Sequence, residues 1–127
     1  MKSMMTPAKR TNRLGSAKSG THHFIAQRVS AVALAIALPL FVLALAFSDA
    51  PDPDAARGFF GSAWGALLTL ITLTATLYHM RLGLQVVVED YIHGAGLKFT
   101  LLIGNTLIAY GLWLAGVYAL FRLALAA

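Results

Sequence analysis

The segment from His79 to Tyr91, with the sequence HMRLGLQVVVEDY, holds the side chains of this chain that are best suited to chemistry. It places an imidazole, a guanidinium and carboxylates within or beside a long apolar stretch. Ionisable groups are costly at membrane depth, so they mark functional sites by default. His79, Arg81, Asp90 and Tyr91 are therefore the first candidates. A Ser/His/Asp triad is not supported, because no serine lies near His79 in the sequence.

Helical geometry places part of this segment on one face. Gly83 lies one turn after His79, and Asp90, eleven residues on, returns to the same face about 16 Å along the axis. Gly83 would leave a gap beside the imidazole where a flat ring can approach the backbone. A neutral imidazole is a common axial ligand of haem iron, so the pattern favours a haem at His79. The alternative is that His79 only hydrogen-bonds a neighbouring helix.

Three further cationic or imidazole groups precede the first apolar span, namely His22, His23 and Arg28. Such groups anchor a helix at the membrane interface, and they also suit the anionic propionates of a haem. Arg81 has the same two interpretations, a propionate contact or a guanidinium that extends to the membrane surface. A haem with two imidazole ligands would need its second histidine from another subunit.

Tyr91 and Asp90 end the segment and suggest a second kind of site. The Tyr91 hydroxyl is suited to donate to a quinone carbonyl, and Asp90 to polarise that hydroxyl or relay protons. The alternative for Tyr91 is a place in the belt of aromatic residues at the membrane interface.

The composition of the chain is that of a membrane protein. Of its 127 residues 58% are hydrophobic and 12% are charged, against about 25% charged in ordinary soluble domains. Because it has no cysteine, disulfides and thiolate metal sites are excluded. The net charge of +5 does not indicate nucleic acid, because basic residues concentrate before the first span, where they set topology and contact anionic lipid. They are Lys2, Lys9, Arg10, Arg13, Lys18 and Arg28.

The hydropathy pattern predicts an all-α integral membrane protein with three transmembrane helices, at about 29–47, 59–88 and 97–121. Residues 1–20 are expected to form a basic cytoplasmic tail, and 21–127 a three-helix membrane domain. The basic tail places the N-terminus in the cytoplasm and the C-terminus in the periplasm. The turn at 89–98 then returns to the side of the tail, which brings Asp90 and Tyr91 close in depth to the residues before the first span.

Three motifs in this three-span layout resemble a known family. His22 to Arg28, HHFIAQR, is similar to an H-x-F-I-x-x-R pattern before the first span. His79 is followed four residues later by Gly83, and the pair Asp90-Tyr91 comes eleven and twelve residues after His79. Over about residues 21–122 the chain resembles the small hydrophobic membrane-anchor subunits of succinate dehydrogenase, which is respiratory complex II.

The resemblance implies roles for five residues. His79 would be an axial ligand of haem b iron, with the second ligand from the larger of the two membrane anchors in the complex. His22 and Arg28 match positions near the haem propionates. Tyr91 matches a tyrosine that hydrogen-bonds ubiquinone, and Asp90 is its neighbour.

The same resemblance implies a non-catalytic subunit in the electron transport chain and the tricarboxylic acid cycle. Succinate oxidation would belong to a flavoprotein subunit and an iron–sulfur subunit, which this chain would anchor in the lipid bilayer. Electrons would pass from the iron–sulfur subunit to a quinone near Tyr91. The expected location is a bacterial inner membrane, because no Arg/Ser-rich amphipathic presequence is convincing.

Two alternatives stay open from the sequence. One is a small three-span transport or assembly subunit without a redox cofactor, in which His79 and Arg81 line a proton or ion path. The other is the anchor of a fumarate reductase, which shares the architecture. Reaction direction depends on partner subunits and on the quinone potential.

Overall fold

The computed structural model describes residues 18–49 and 51–126, and this part of the chain folds into four helices without a strand. They are α1 (Lys18–Ala46), α2 (Pro53–Gly61), α3 (Ala63–Tyr91) and α4 (Ala95–Ala126). The helices α1, α3 and α4 are long and apolar enough to cross a membrane, which confirms the predicted all-α, three-span class. The predicted tail lies mostly outside the described residues, but residues 18–20 belong to the first turn of α1.

The central helix is α3, which packs against both α1 and α4. Its pairing with α1 is antiparallel. Ser30 meets His79, and seven residues further along α1 the carbonyl of Ala37 lies 3.4 Å from the hydroxyl of Thr72, seven residues back along α3.

The pairing of α3 with α4 is antiparallel as well. Arg81 meets Thr106, and Trp113, seven residues further along α4, donates to Thr74 at 2.9 Å. Two polar contacts one heptad apart thus fix the register of each pair, and His79 and Arg81 lie in the middle of the bundle.

In the described part of the chain, the buried residues are small or aliphatic, apart from the hydroxyl-bearing Ser30 and Thr72. Close packing and hydrogen bonds drive helix association in lipid, where the hydrophobic effect between helices is absent. Thr69, Thr72, Thr74 and Thr76 each donate to the backbone carbonyl four residues earlier. The outer surface of the helices carries large apolar side chains, which suits contact with lipid and other membrane subunits.

A corner at Ser62 separates α2 from α3, so α3 begins four residues later than the predicted second span. Ser62 has extended backbone, and its hydroxyl accepts from the N–H of Gly65 at 3.0 Å as the N-cap of α3. Asp52 caps α2 in the same way, with Pro53 at the first helical position. Phe59 to Gly61, although apolar, belong to the short α2.

Gly65 makes this corner possible, and Gly65→Ala is expected to destabilise it. A Cβ at this buried position would collide with the backbone carbonyl of Phe59, which cannot move without shifting α2. Overpacking of this kind costs about 1–3 kcal/mol. The thermal unfolding midpoint of the detergent-solubilised complex should therefore fall. Gly58→Ala, where a Cβ meets nothing within 4 Å, is the matched control, and equal midpoints for both variants would contradict the prediction.

Candidate cofactor site

His79 lines an open groove between α1 and α3, here named the His79 groove. Its volume is about 620 Å³, within the usual range for ligand sites. The groove carries a cation, two imidazoles, an amide and a carboxylate among apolar side chains. Its lining residues are Gly20, His23, Phe24, Gln27, Arg28, Ala31, His79, Val86 and Glu89.

The imidazole of His79 is held by a serine from the neighbouring helix. Its Nδ1 lies 3.0 Å from the hydroxyl oxygen of Ser30, and the same hydroxyl lies 3.0 Å from the backbone carbonyl of Gln27. The predicted alternative for His79, a hydrogen bond to another helix, is therefore present in the structure. It engages only Nδ1, so Nε2 is the ring nitrogen left for a ligand.

The space beside Gly83 faces α1. A Cβ built on Gly83 would lie 3.8 Å from Nε2 of Gln27, so the Gln27 side chain borders the gap that the sequence predicts. Two buried polar atoms of the groove residues, Nε2 of His23 and Oε1 of Gln27, have no hydrogen-bond partner. Unpaired buried polar groups are uncommon in folded proteins, and a polar ligand or another protein of the complex would satisfy them.

The predicted cationic contacts are divided between faces of the bundle. Arg28 lines the His79 groove, and its guanidinium lies over the ring of Phe24 at 5.2 Å. His22 instead borders a separate, mainly apolar groove between α1 and α3, next to Tyr78. His23, to which the family resemblance assigns no role, is the member of this histidine pair that lines the same groove as His79.

Arg81 points towards α4. Its Nε donates to the hydroxyl of Thr106 at 3.3 Å, and its guanidinium lies 5.7 Å from the ring centre of Tyr110, within cation–π range. The backbone carbonyl of Arg81 accepts from the amide of Asn105 at 2.9 Å. The structure thus places Arg81 in the α3–α4 contact and not with His79.

Asp90 and Tyr91 are the last residues of α3, and both are exposed. The helix is continuous from His79, so Tyr91 lies about 18 Å further along the axis. Glu89 and Gly20 line the same groove, so this end of α3 is level with the start of α1. Asp90 and Tyr91 therefore lie at the end of the bundle where α1 begins, well apart from the imidazole of His79.

These positions define the chemistry that the site supports. Within the described part of the chain, no group of three or more His, Asp or Glu side chains is arranged to hold a metal ion. The ring nitrogen Nε2 of His79, which the Ser30 contact leaves without a partner, and the guanidinium of Arg28, which lines the same groove, fit the iron and a propionate of a haem. Ser30 and Gln27 are the residues that sequence reasoning missed. The available signal was a serine within the predicted first span and a glutamine two residues before it.

Comparison with known proteins supports one family. The family of succinate dehydrogenase/fumarate reductase transmembrane subunits matches residues 2–121. The succinate dehydrogenase hydrophobic membrane anchor subunit of Paracoccus denitrificans is 33% identical over 123 residues, which cover 97% of this chain and 95% of the relative. The subunits of the same description from Rickettsia typhi and Rickettsia bellii are 38% and 36% identical, over 69% and 84% of this chain and 70% and 86% of their own lengths. With its three spans and these relatives, the chain belongs to the succinate dehydrogenase hydrophobic membrane anchor subunits.

Proposed function

We propose that this chain anchors the catalytic subunits of a succinate:ubiquinone oxidoreductase in a bacterial inner membrane, shares a haem b with a second, larger membrane anchor, and forms part of the ubiquinone site. The proposal that this chain binds haem rests on the contact between Ser30 and His79. It occupies Nδ1 and leaves Nε2 of an intramembrane imidazole beside a groove that Arg28 also lines.

His79 would supply one axial ligand, and the larger membrane anchor the other. His22, His23 and His93 lie near helix ends, so His79 is the histidine of this chain suited to a haem within the bilayer. A haem bound there would supply a one-electron redox centre within the bilayer. Arg28, which lines the His79 groove, would bind a propionate. His22 and Arg81 lie on neighbouring faces and stay candidates for the same role.

Tyr91 and Asp90 would bind the quinone head group. The Tyr91 hydroxyl donates to a quinone carbonyl, and Asp90 takes up or delivers protons from the aqueous phase. A site at the end of α3 suits this task, because the head group needs aqueous protons while its tail stays in lipid. This chain supplies no residue for succinate oxidation, which belongs to the flavoprotein subunit.

The charge of the chain supports an orientation with the N-terminus in the cytoplasm. The basic residues concentrate before and at the start of α1, whereas the connection between α1 and α3 carries three aspartates and Arg57. Asp90 and Tyr91 then face the cytoplasmic side, where the iron–sulfur and flavoprotein subunits dock. The bacterial relatives from Paracoccus and Rickettsia support the inner-membrane location.

The test is purification of the tagged chain from its native membrane under mild detergent. We expect a flavoprotein, an iron–sulfur protein and a larger membrane anchor to co-purify, with succinate:quinone reductase activity and a b-type band in the reduced-minus-oxidised spectrum. Partners without flavin or iron–sulfur clusters would favour the transport or assembly alternative. An active complex without a b-type band would overturn the haem part alone.

Arg81 distinguishes a helix contact from a propionate contact. Arg81→Met keeps the apolar stem but loses the bond to Thr106 and the contact with Tyr110. We expect α3–α4 packing to weaken by about 1–3 kcal/mol, seen as a lower unfolding midpoint of the complex, with an unchanged haem midpoint potential. Thr106→Val removes the same hydrogen bond, so it should also lower the unfolding midpoint of the complex. A shifted haem potential in Arg81→Met, but not in Thr106→Val, would instead place Arg81 at a propionate.

A further inference from the structure

We infer that Ser30 is a positioning residue for the haem, because it fixes the tautomer and the ring orientation of His79. This inference rests on the proposed function, since it concerns the ligand that His79 would supply. It adds a residue of α1 to the positioning of the iron ligand, a role for which the sequence indicates only His79 of α3.

The two contacts of the Ser30 hydroxyl decide the tautomer. The oxygen lies 3.0 Å from the carbonyl oxygen of Gln27 and 3.0 Å from Nδ1 of His79. A hydroxyl has one proton and two lone pairs, and a carbonyl only accepts. Both contacts are therefore hydrogen bonds only if Ser30 donates to Gln27 and accepts from a protonated Nδ1. The neutral imidazole then carries its lone pair on Nε2.

The surroundings of Ser30 keep this arrangement in place. Ser30 is only 6% exposed, so water has little access to replace its hydroxyl. Seven residues further along α1, the buried contact between Ala37 and Thr72 fixes the register of the same helix pair. The acceptor for Nδ1 is thus set by helix packing and does not depend on a mobile side chain.

A fixed acceptor at Nδ1 has two consequences for a metal bound at Nε2. It holds the ring in one orientation, which favours binding, and it raises the basicity of the ligand. A more basic imidazole stabilises ferric over ferrous iron, so Ser30 should lower the midpoint potential of the haem. Loss of an outer partner of this kind typically weakens metal binding about 10- to 100-fold.

The test compares variants in the assembled, purified complex. We expect Ser30→Ala to shift the haem midpoint potential upwards, to change the ferric EPR g values, and to weaken haem retention by about 10- to 100-fold in dissociation assays. Ser30→Thr keeps the hydroxyl and should restore values close to those of the wild type. Thr69→Ala removes a hydroxyl that bonds only to its own helix, and it should leave all three readouts unchanged.

Wild-type potential, g values and haem retention in Ser30→Ala would overturn the role of Ser30. The ligand role of His79 would still stand, since it is tested separately by replacing that histidine. If Ser30→Ala fails to assemble, Ser30→Cys takes its place, because a thiol is similar in size but a weak acceptor. Wild-type values in Ser30→Cys would overturn the inference in the same way. A wild-type complex that lacks haem altogether would overturn both this inference and the haem part of the proposed function.

Discussion

His79→Ala is expected to abolish or greatly alter the b-type haem spectrum of the purified complex while the chain still inserts into the membrane. Losing only an outer partner of a metal ligand costs about 10- to 100-fold in affinity, and loss of the ligand itself should cost at least as much. Insertion should persist because α3 keeps ample apolar length. The Ser30 hydroxyl also keeps its acceptor, the carbonyl of Gln27, so no buried donor is left unpaired.

The measurement is the reduced-minus-oxidised spectrum, normalised to the flavin content of the complex. His93→Ala is the matched control, because His93 is exposed in the turn between α3 and α4, about 21 Å from His79 if the helix axis were extended. An unchanged low-spin spectrum at wild-type haem content in His79→Ala would reject the ligand role. His79 would then serve only to join α1 and α3 through Ser30.

The three spans were predictable because a bilayer imposes length and apolarity on each helix. The start of α3 was not predictable from hydropathy, because Phe59 to Gly61 are as apolar as the span that follows. The break depends on Ser62, which ends one helix and caps the next, and on the space at Gly65. Hydropathy records which residues prefer lipid, but it does not record where the backbone turns.

The sequence could have predicted on which face of α3 the Arg81 side chain lies. Two residues after His79, it lies about 200° around the helix, so the two side chains leave α3 on opposite sides. This geometry agrees with the structure, in which Ser30 of α1 contacts His79 and Thr106 of α4 contacts Arg81. The sequence could not predict which of His22 and His23 lines the His79 groove, because this depends on how α1 is rotated against α3.

Tyr91→Phe is expected to slow quinone reduction while the haem spectrum and the succinate activity with an artificial acceptor stay normal. Tyr91 ends α3 and is 75% exposed, so phenylalanine keeps the ring and disturbs no packing within the chain. A lost hydrogen bond costs about 0.5–1.5 kcal/mol, or roughly a two- to twelve-fold change in rate or affinity. The effect should be confined to steps that involve the quinone, because about 18 Å of helix separates Tyr91 from His79.

Tyr118→Phe is the matched control for this prediction. It removes a hydroxyl from another exposed tyrosine, on α4, towards the opposite end of the bundle, where its hydroxyl accepts from Arg122 at 3.3 Å. Quinone kinetics should respond to Tyr91→Phe and not to Tyr118→Phe. If neither variant changes them, Tyr91 is only an interfacial aromatic residue, and other groups must bind the quinone. A haem spectrum altered by Tyr91→Phe would mean that the two sites are coupled, in spite of the helix length between them.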